Sequence, residues 1–260
     1  MGEPIKGALE RALARTPIPP GQLSSGQPAT NPPTPASTLS NPENYILLSE
    51  KTYGAYSYPD LLVAMNKTHL GKNWHDCHAE LAKEDAFMLT IRQFVDFLNL
   101  IKSGSAYDGN GRKIDAPRLN DIYNEITEKR GPWRSEWLDA DFKVIDKNIV
   151  GLRGKLVMNY EHRIVNGKLT PQRSQEALEN YLAKDKQPGI DFNEWLTSAT
   201  YQGLPPVNIK NGDLWYWQPG RDNNSVAGFS AGSDGAVLNC DRYLSNTNFS
   251  LGVRAARKKI

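Results

Sequence analysis

The spacing of apolar residues changes part-way along this chain, and that change limits the fold more than any single motif. Phe87, Met88, Ile91, Phe94, Val95, Leu98 and Ile101 recur at three- and four-residue steps, which places them on one face of a helix. They predict a helix over Asp85–Lys102, ended by Ser103-Gly104-Ser105. Leu119, Ile122, Tyr123 and Ile126 predict a second over Ala116–Lys129, stopped by Gly131-Pro132. From Trp133 to Lys168 the helical spacing is lost. Trp137-Leu138, Phe142–Ile145 and Leu156–Tyr160 read as strands, and Asn166-Gly167 as a two-residue hairpin turn. Tyr107–Gly111 is turn chemistry. Weaker patterns predict a strand at Tyr45–Leu48 and helices at Asp60–Met65, Ser174–Lys184 (Ala177, Leu178, Tyr181 and Leu182 inward) and Phe192–Ser198. Two main helices followed by short strands and long loops make α+β the expected class, rather than a parallel α/β sheet.

Residues 1–43 differ from the rest. Prolines interleave with Ser, Thr, Gln and Gly, and no aromatic residue precedes Tyr45. Such a segment buries too little apolar area to offset its ordering entropy. It reads as a tail or tether, or alternatively as a segment docking to a larger particle, with a short helix conceivable at Ile5–Ala14. Residues 44–260 read as one globular domain without internal repeats. Lys plus Arg number 31 and Asp plus Glu 29, a net charge of +2. That balance gives no whole-chain field for polyanions, so nucleic acid is not an expected partner. Arg254, Arg257, Lys258 and Lys259 read as a solvated basic end. No apolar run of about 18 residues exists, so membrane insertion is not expected. Met1–Pro20 has no apolar stretch of signal-peptide type.

Few motifs carry chemistry. His75, Cys77 and His78 form a dense group of soft ligands, but a structural zinc needs a fourth, and His69, His162 and Cys240 are distant in sequence. Asp108–Gly111 lacks the donor spacing of a calcium loop. Neither a phosphate-binding glycine loop nor a serine nucleophile elbow is present. Cys240, between Leu238 and Arg242, suits a small core residue better than a nucleophile. No catalytic residue, metal or cofactor is expected.

The informative stretch begins at Asn223, where two interleaved series separate. Ala227, Phe229, Ala231, Ala236, Leu238 and Cys240 are small or apolar and suit the inside of a strand. Gly228, Ser230, Gly232, Gly235, Val237, Asn239, Asp241 and Tyr243 share no chemistry, and period-two alternation puts them together on one exposed face. A merely solvated face favours Lys, Glu and Thr. This palette is that of binding loops, where Tyr gives contact area at low entropic cost and Ser, Gly and Asn adapt their hydrogen bonds. It continues through Ser245, Asn246, Asn248 and Phe249. Leu251-Gly-Val-Arg254 then returns to strand character and is expected to re-enter the core.

Trp215-Tyr-Trp217, Ser225-Val-Ala227, Cys240-Asp-Arg242 and Leu251-Gly-Val-Arg254 resemble the C-terminal part of C-type lectin domains of the formylglycine-generating-enzyme type. More narrowly, they resemble the variable proteins of diversity-generating retroelements, above all the archaeal viral ones. Thr90–Asn99 resembles a framework helix of that fold. The resemblance implies a C-type lectin fold from about Tyr45 and a variable region over about 223–254, rewritten by an error-prone reverse transcriptase that changes template adenines. Template Asn codons can then become codons for Gly, Ser, Asp, Val, Tyr or Phe. It implies a receptor, not an enzyme, on a virion or cell surface. Its ligand would be a protein or glycan on a target cell, and its site calcium-independent. The variable face would comprise the heterogeneous series from Gly228 to Phe249, with Trp215, Tyr216 and Trp217 as its floor and Tyr243 and Phe249 as its large apolar members. Two alternatives remain. One is an oxidase of the formylglycine-generating type, for which Cys77 and Cys240 would have to meet and bind copper. The other is a structural particle component whose polar face binds nothing specific.

Overall fold

The computed structural model describes residues 41–145 and 154–259. The Pro/Ser-rich stretch through residue 40, with the helix considered at Ile5–Ala14, lies outside the described residues. A 3-10 turn at Pro42–Asn44 leads into β1 (Tyr45–Leu48), then the hairpin of β2 (Lys51–Tyr53) and β3 (Tyr56–Tyr58), then β4 (Leu61–Ala64). The helix expected at Asp60–Met65 is therefore a strand. β4 is paired along both edges, by β1 and by the chain's last strand, and tertiary ladders override the weak local preference of Leu-Leu-Val-Ala.

α1 (Trp74–Lys83) starts at Asn73, whose side chain accepts from the Asp76 N–H. β5 (Phe87–Met88) precedes α2 (Ile91–Lys102). Thr90 and Gln93 form a reciprocal capping box, which fixes the helix start at Ile91. Phe87 and Met88, expected in its first turn, pair instead with the last strand. α3 (Ala116–Thr127) is capped by Asp115, with proline in its first turn.

β6 (Arg134–Val144), β7 (Leu156–Val165) and β8 (Lys168–Ala177) span 11, 10 and 10 residues, longer than the short strands expected. Asn166 and Gly167 turn β7 into β8 with φ of 50° and 74°, which suits a type I′ turn. That hairpin draws Ser174–Ala177 into β8, so the helix expected at Ser174–Lys184 does not form. β9 (Lys186–Ile190), α4 (Phe192–Ser198), β10 (Leu214–Trp217), β11 (Ser225–Gly232), β12 (Gly235–Tyr243), β13 (Leu251–Gly252) and β14 (Ala255–Lys258) complete the order. The fold is mixed α+β, with α2 and α3 its longest helices among the described residues.

The strands form a sheet ordered β1-β4-β14-β5, a larger sheet ordered β8-β7-β6-β11-β12-β10-β9 with β13 beside β6, and the β2–β3 ribbon. Both faces of the larger sheet are covered near β6 and β11. Leu138, Ala140, Phe142, Ala227, Phe229 and Leu238 join the main core with α2. Trp137 and Val226 point the other way, toward Trp74, Cys77 and Leu81 of α1 and toward Leu251 and Val253. On α2, Ile91, Phe94, Val95, Phe97 and Leu98 are fully buried, each worth about 1.5–3 kcal/mol before ordering entropy. Asp96, buried on the same helix, accepts from the Tyr53 and Tyr58 hydroxyls at 2.6 Å, from Arg92 at 2.9 Å and from Lys51 at 3.1 Å. This pins the β2–β3 ribbon to α2.

Arg254, expected at a solvated basic end, is buried between β13 and β14. Its Nη2 and Nε bind Glu136 Oε1 and Oε2 at 2.5 and 3.1 Å, and its Nη1 donates to the carbonyls of Ala64, at 3.0 Å, and Met65. One fork thus ties the end of β4 to β6. Just before it, a Cβ on Gly252 would stand 2.7 Å from the Thr68 carbonyl oxygen, so the close approach of these segments excludes any side chain there. Removing one member of a buried pair leaves a stranded charge, at a cost of about 3–5 kcal/mol. Arg254→Met should lose that much in urea unfolding, and adding Glu136→Leu should recover a large part of it.

Candidate functional site

The β11–β12 hairpin carries the heterogeneous series, and its pairing decides which side chains share a face. Ser230 lies opposite Ser135 on β6 and Val237 on β12, and Val237 lies beside Trp215 on β10. One step on, Gly228 lies between Trp137 and Asn239, and Asn239 lies beside Trp217. Directly paired residues point to the same side of a sheet. Two rows therefore cross the outer face, Ser135–Ser230–Val237–Trp215 and Trp137–Gly228–Asn239–Trp217.

Each row is buried at one end and partly open at the other. Val237, Asn239, Trp215 and Trp217 are half-buried. Gly228, Ser230 and Gly232, expected to be exposed, are buried, because every residue of β11 is covered on both faces. A Cβ on Gly228 would meet the Glu136 carbonyl oxygen at 3.1 Å and Arg242 Nε at 3.3 Å, and one on Gly232 would meet the Trp133 ring at 3.2 Å. Ser230 Oγ lies 2.8 Å from Ser135 Oγ and accepts from Arg242 Nη2 at 2.8 Å. Tyr216, expected in the floor with its neighbours, points into the main core and donates to the Leu182 carbonyl at 3.1 Å. Trp215 and Trp217 do not underlie the face; they form part of it.

The odd-numbered series does not stay on one side. Gly228 pairs with Asn239 but Val226 pairs with Arg242. Two steps on β11 thus match three on β12, a β-bulge that sets Cys240 and Asp241 against Ala227. Past the bulge the parity reverses. Arg242, an even-numbered residue, takes the outer face, with its guanidinium 5.4 Å from the Trp133 ring and 5.7 Å from the Trp137 ring. Burial lowers its pKa to about 10, so it remains cationic at neutral pH, and its Nε has no hydrogen-bond partner. Tyr243 falls opposite Ser225 instead. Asp241 is exposed, and partial burial together with the nearby Asp185 carboxylate raises its pKa. Arg242 and Trp133 were not among the residues expected at the site, since no sequence signal marks the bulge that brings Arg242 there.

Beyond β12 a loop presents Ser245, Asn246, Asn248 and Phe249. Tyr243 is 62% exposed and Phe249 81%, the two highest values among the large apolar side chains described. The loop is shaped internally. Asn246 Oδ1 accepts the Asn248 N–H at 3.1 Å and Asn248 Oδ1 the Ser250 N–H at 2.9 Å, turns that Asn side chains favour. It is also held at both ends. The Trp74 N–H donates to the Leu244 carbonyl at 3.1 Å, and Thr68 exchanges backbone bonds of 2.8 and 2.9 Å with Val253. Leu251 and Val253 are fully buried, so the segment after the loop re-enters the core as expected.

Cys77 and Cys240 are free and lie in different core clusters. Burial raises the Cys77 pKa to about 12 and the Cys240 pKa well above its ordinary value. Comparisons with protein-family models, curated proteins and solved structures return no match.

Substitution tolerance should follow this division. Alanine at Val237, Tyr243 or Phe249 should change unfolding free energy by no more than about 0.5 kcal/mol. Ser230→Val should cost about 1–3 kcal/mol, because buried polar partners are left unpaired. Chemical denaturation of the four variants checks both statements.

Proposed function

We propose that this protein is a ligand-binding receptor whose surface over about 223–254 is diversified by a retroelement, carried on a C-type lectin scaffold of the formylglycine-generating-enzyme type. Its role would be attachment of a virion or cell to a protein or glycan on a target cell, with residues 1–43 as tether or docking segment. One observation carries the reading. Within a single continuous stretch, accessible side chains of mixed chemistry alternate with a deeply buried framework. Val237, Asn239, Asp241, Tyr243, Ser245 and Phe249 are accessible, whereas Leu238, Cys240, Leu251, Val253 and Arg254 are buried. A surface that changes identity without unfolding needs that separation, since exposed substitutions change stability little and core substitutions cost several times more.

The contact surface in this reading combines Val237, Asn239, Trp215 and Trp217 with the loop bearing Tyr243 and Phe249. Gly228, Ser230 and Gly232 are support, and Asn246 and Asn248 shape the loop. The oxidase alternative has less behind it. Its two cysteines occupy separate clusters with raised pKa values, which suits neither thiolate chemistry nor joint copper binding.

Tyr243→Ala with Phe249→Ala should weaken binding to a ligand identified on protein or glycan arrays by more than about tenfold, with the melting temperature nearly unchanged. Loss of folding would assign the pair to the core. Failure of the intact protein to bind on any array would favour the structural-component alternative. A near-copy of the DNA for residues 223–254, differing mainly at adenines and lying beside a reverse-transcriptase gene, would support diversification independently.

A further inference from the structure

A second cluster lies between α1 and strands β6 and β7, away from the Val237–Trp217 surface. His78, Asp139 and His162 bring ring nitrogens and a carboxylate oxygen within 4.8 Å of one another, and all three residues are buried. Asp139 Oδ1 lies 2.5 Å from His162 Nδ1, and Asp139 Oδ2 accepts the His162 backbone N–H at 2.8 Å. His78 Nε2 lies 3.7 Å from that same Oδ1. At 4% exposure His78 is well buried, yet its Nε2 has no hydrogen-bond partner. Asp141 Oδ1 also has none and stands 3.9 Å from His162 Nε2.

Buried polar atoms without partners are costly and uncommon. A gap of 3.7 Å is too wide for a hydrogen bond. It matches two donors on one ion, each bonded at about 2.1 Å. Asp139 is oriented by a backbone N–H, the kind of outer support that ligating carboxylates carry. A cavity of about 170 Å³ reaches both imidazoles and is also lined by Phe87, Arg163 and Leu169. It gives an ion a route in and room for a water ligand.

We propose that His78, Asp139 and His162 form a binding site for a divalent first-row metal ion of the zinc class, with the remaining coordination position facing the cavity. His162 joins as a ligand through Nδ1: its hydrogen bond to Asp139 Oδ1 breaks and the proton leaves to solvent. The 2.5 Å contact opens toward the roughly 3.4 Å that separates two atoms each about 2.1 Å from one tetrahedral ion, and no electron transfer is involved. The sequence group His75-Asp-Cys-His78 contributes one ligand, since α1 turns Cys77 into the apolar cluster and leaves His78 facing β6 and β7. The ion would fasten α1 to the sheet. The first residue of α1, Trp74, holds the Leu244 carbonyl at the base of the exposed loop.

The test uses the full chain, stripped with chelator, then titrated with Zn²⁺ by calorimetry and with Co²⁺ by visible absorption. One equivalent should bind, Co²⁺ should show ligand-field bands of imidazole coordination, and Zn²⁺ should raise the melting temperature. His78→Gln and Asp139→Asn should each weaken Zn²⁺ binding by about a hundredfold or more, whereas His69→Ala should leave it unchanged. Absence of stoichiometric binding by the parental chain overturns the proposal, as does undiminished binding by folded His78→Gln. If both cluster variants misfold, the parental Co²⁺ spectrum decides by itself, and its lack of imidazole bands overturns the proposal.

Discussion

The fork between Arg254 and Glu136 is the constraint on which the rest of the structure depends. It joins the end of β4 in one sheet to β6 in the other, at the point where the chain returns from its exposed loop. A guanidinium suits this role because its planar donors can meet a carboxylate at two atoms and still reach backbone carbonyls. Phe97 of α2 packs against the same group, 5.5 Å from its ring centroid, so the main core, the two sheets and the C-terminal strand meet at one side chain. The loop of Ser245–Phe249 can then be held at its ends without being buried itself.

The outer face of the large sheet is divided by what covers it. Toward β6 it is closed by α1, Trp133, Trp137 and Arg242. Toward β10 it opens, leaving Val237, Asn239, Trp215 and Trp217 partly accessible. The covered half holds the His78–Asp139–His162 cluster and the open half the proposed contact surface. Backbone bonds from Gly71 and Trp74 to Leu251 and Leu244 connect α1 and the turn segment leading into it to the loop. The link between the two halves is made by these backbone hydrogen bonds.

Much of this was legible in the sequence where the signal is local. The three- and four-residue spacing of α2 and α3, the Asn166-Gly167 turn and the Phe192–Ser198 helix depend on neighbours within a few residues, and the structure contains each. The alternation of β12 was legible up to Asn239. It fails at Cys240 and Asp241 because a bulge depends on the register of the partner strand, which leaves no mark in the bulged one. The exposure of Gly228, Ser230 and Gly232 was misread for a related reason. Period two separates two faces but does not say which is covered, and a strand buried on both looks the same as one with a solvent side.

The amino-acid order by itself determined the mixed α+β class, the principal helices, the Asn166-Gly167 hairpin turn and the return of Leu251–Val253 to the core, because periodicity, capping and turn preference act over short distances. Only the tertiary structure decided that β4 is a strand, that Arg254 is buried against Glu136, that Arg242 replaces Asp241 on the outer face, and that His78 meets Asp139 and His162. Each of those outcomes depends on which distant segment lies alongside. Pairing partners are selected by the burial and hydrogen bonding of the whole chain.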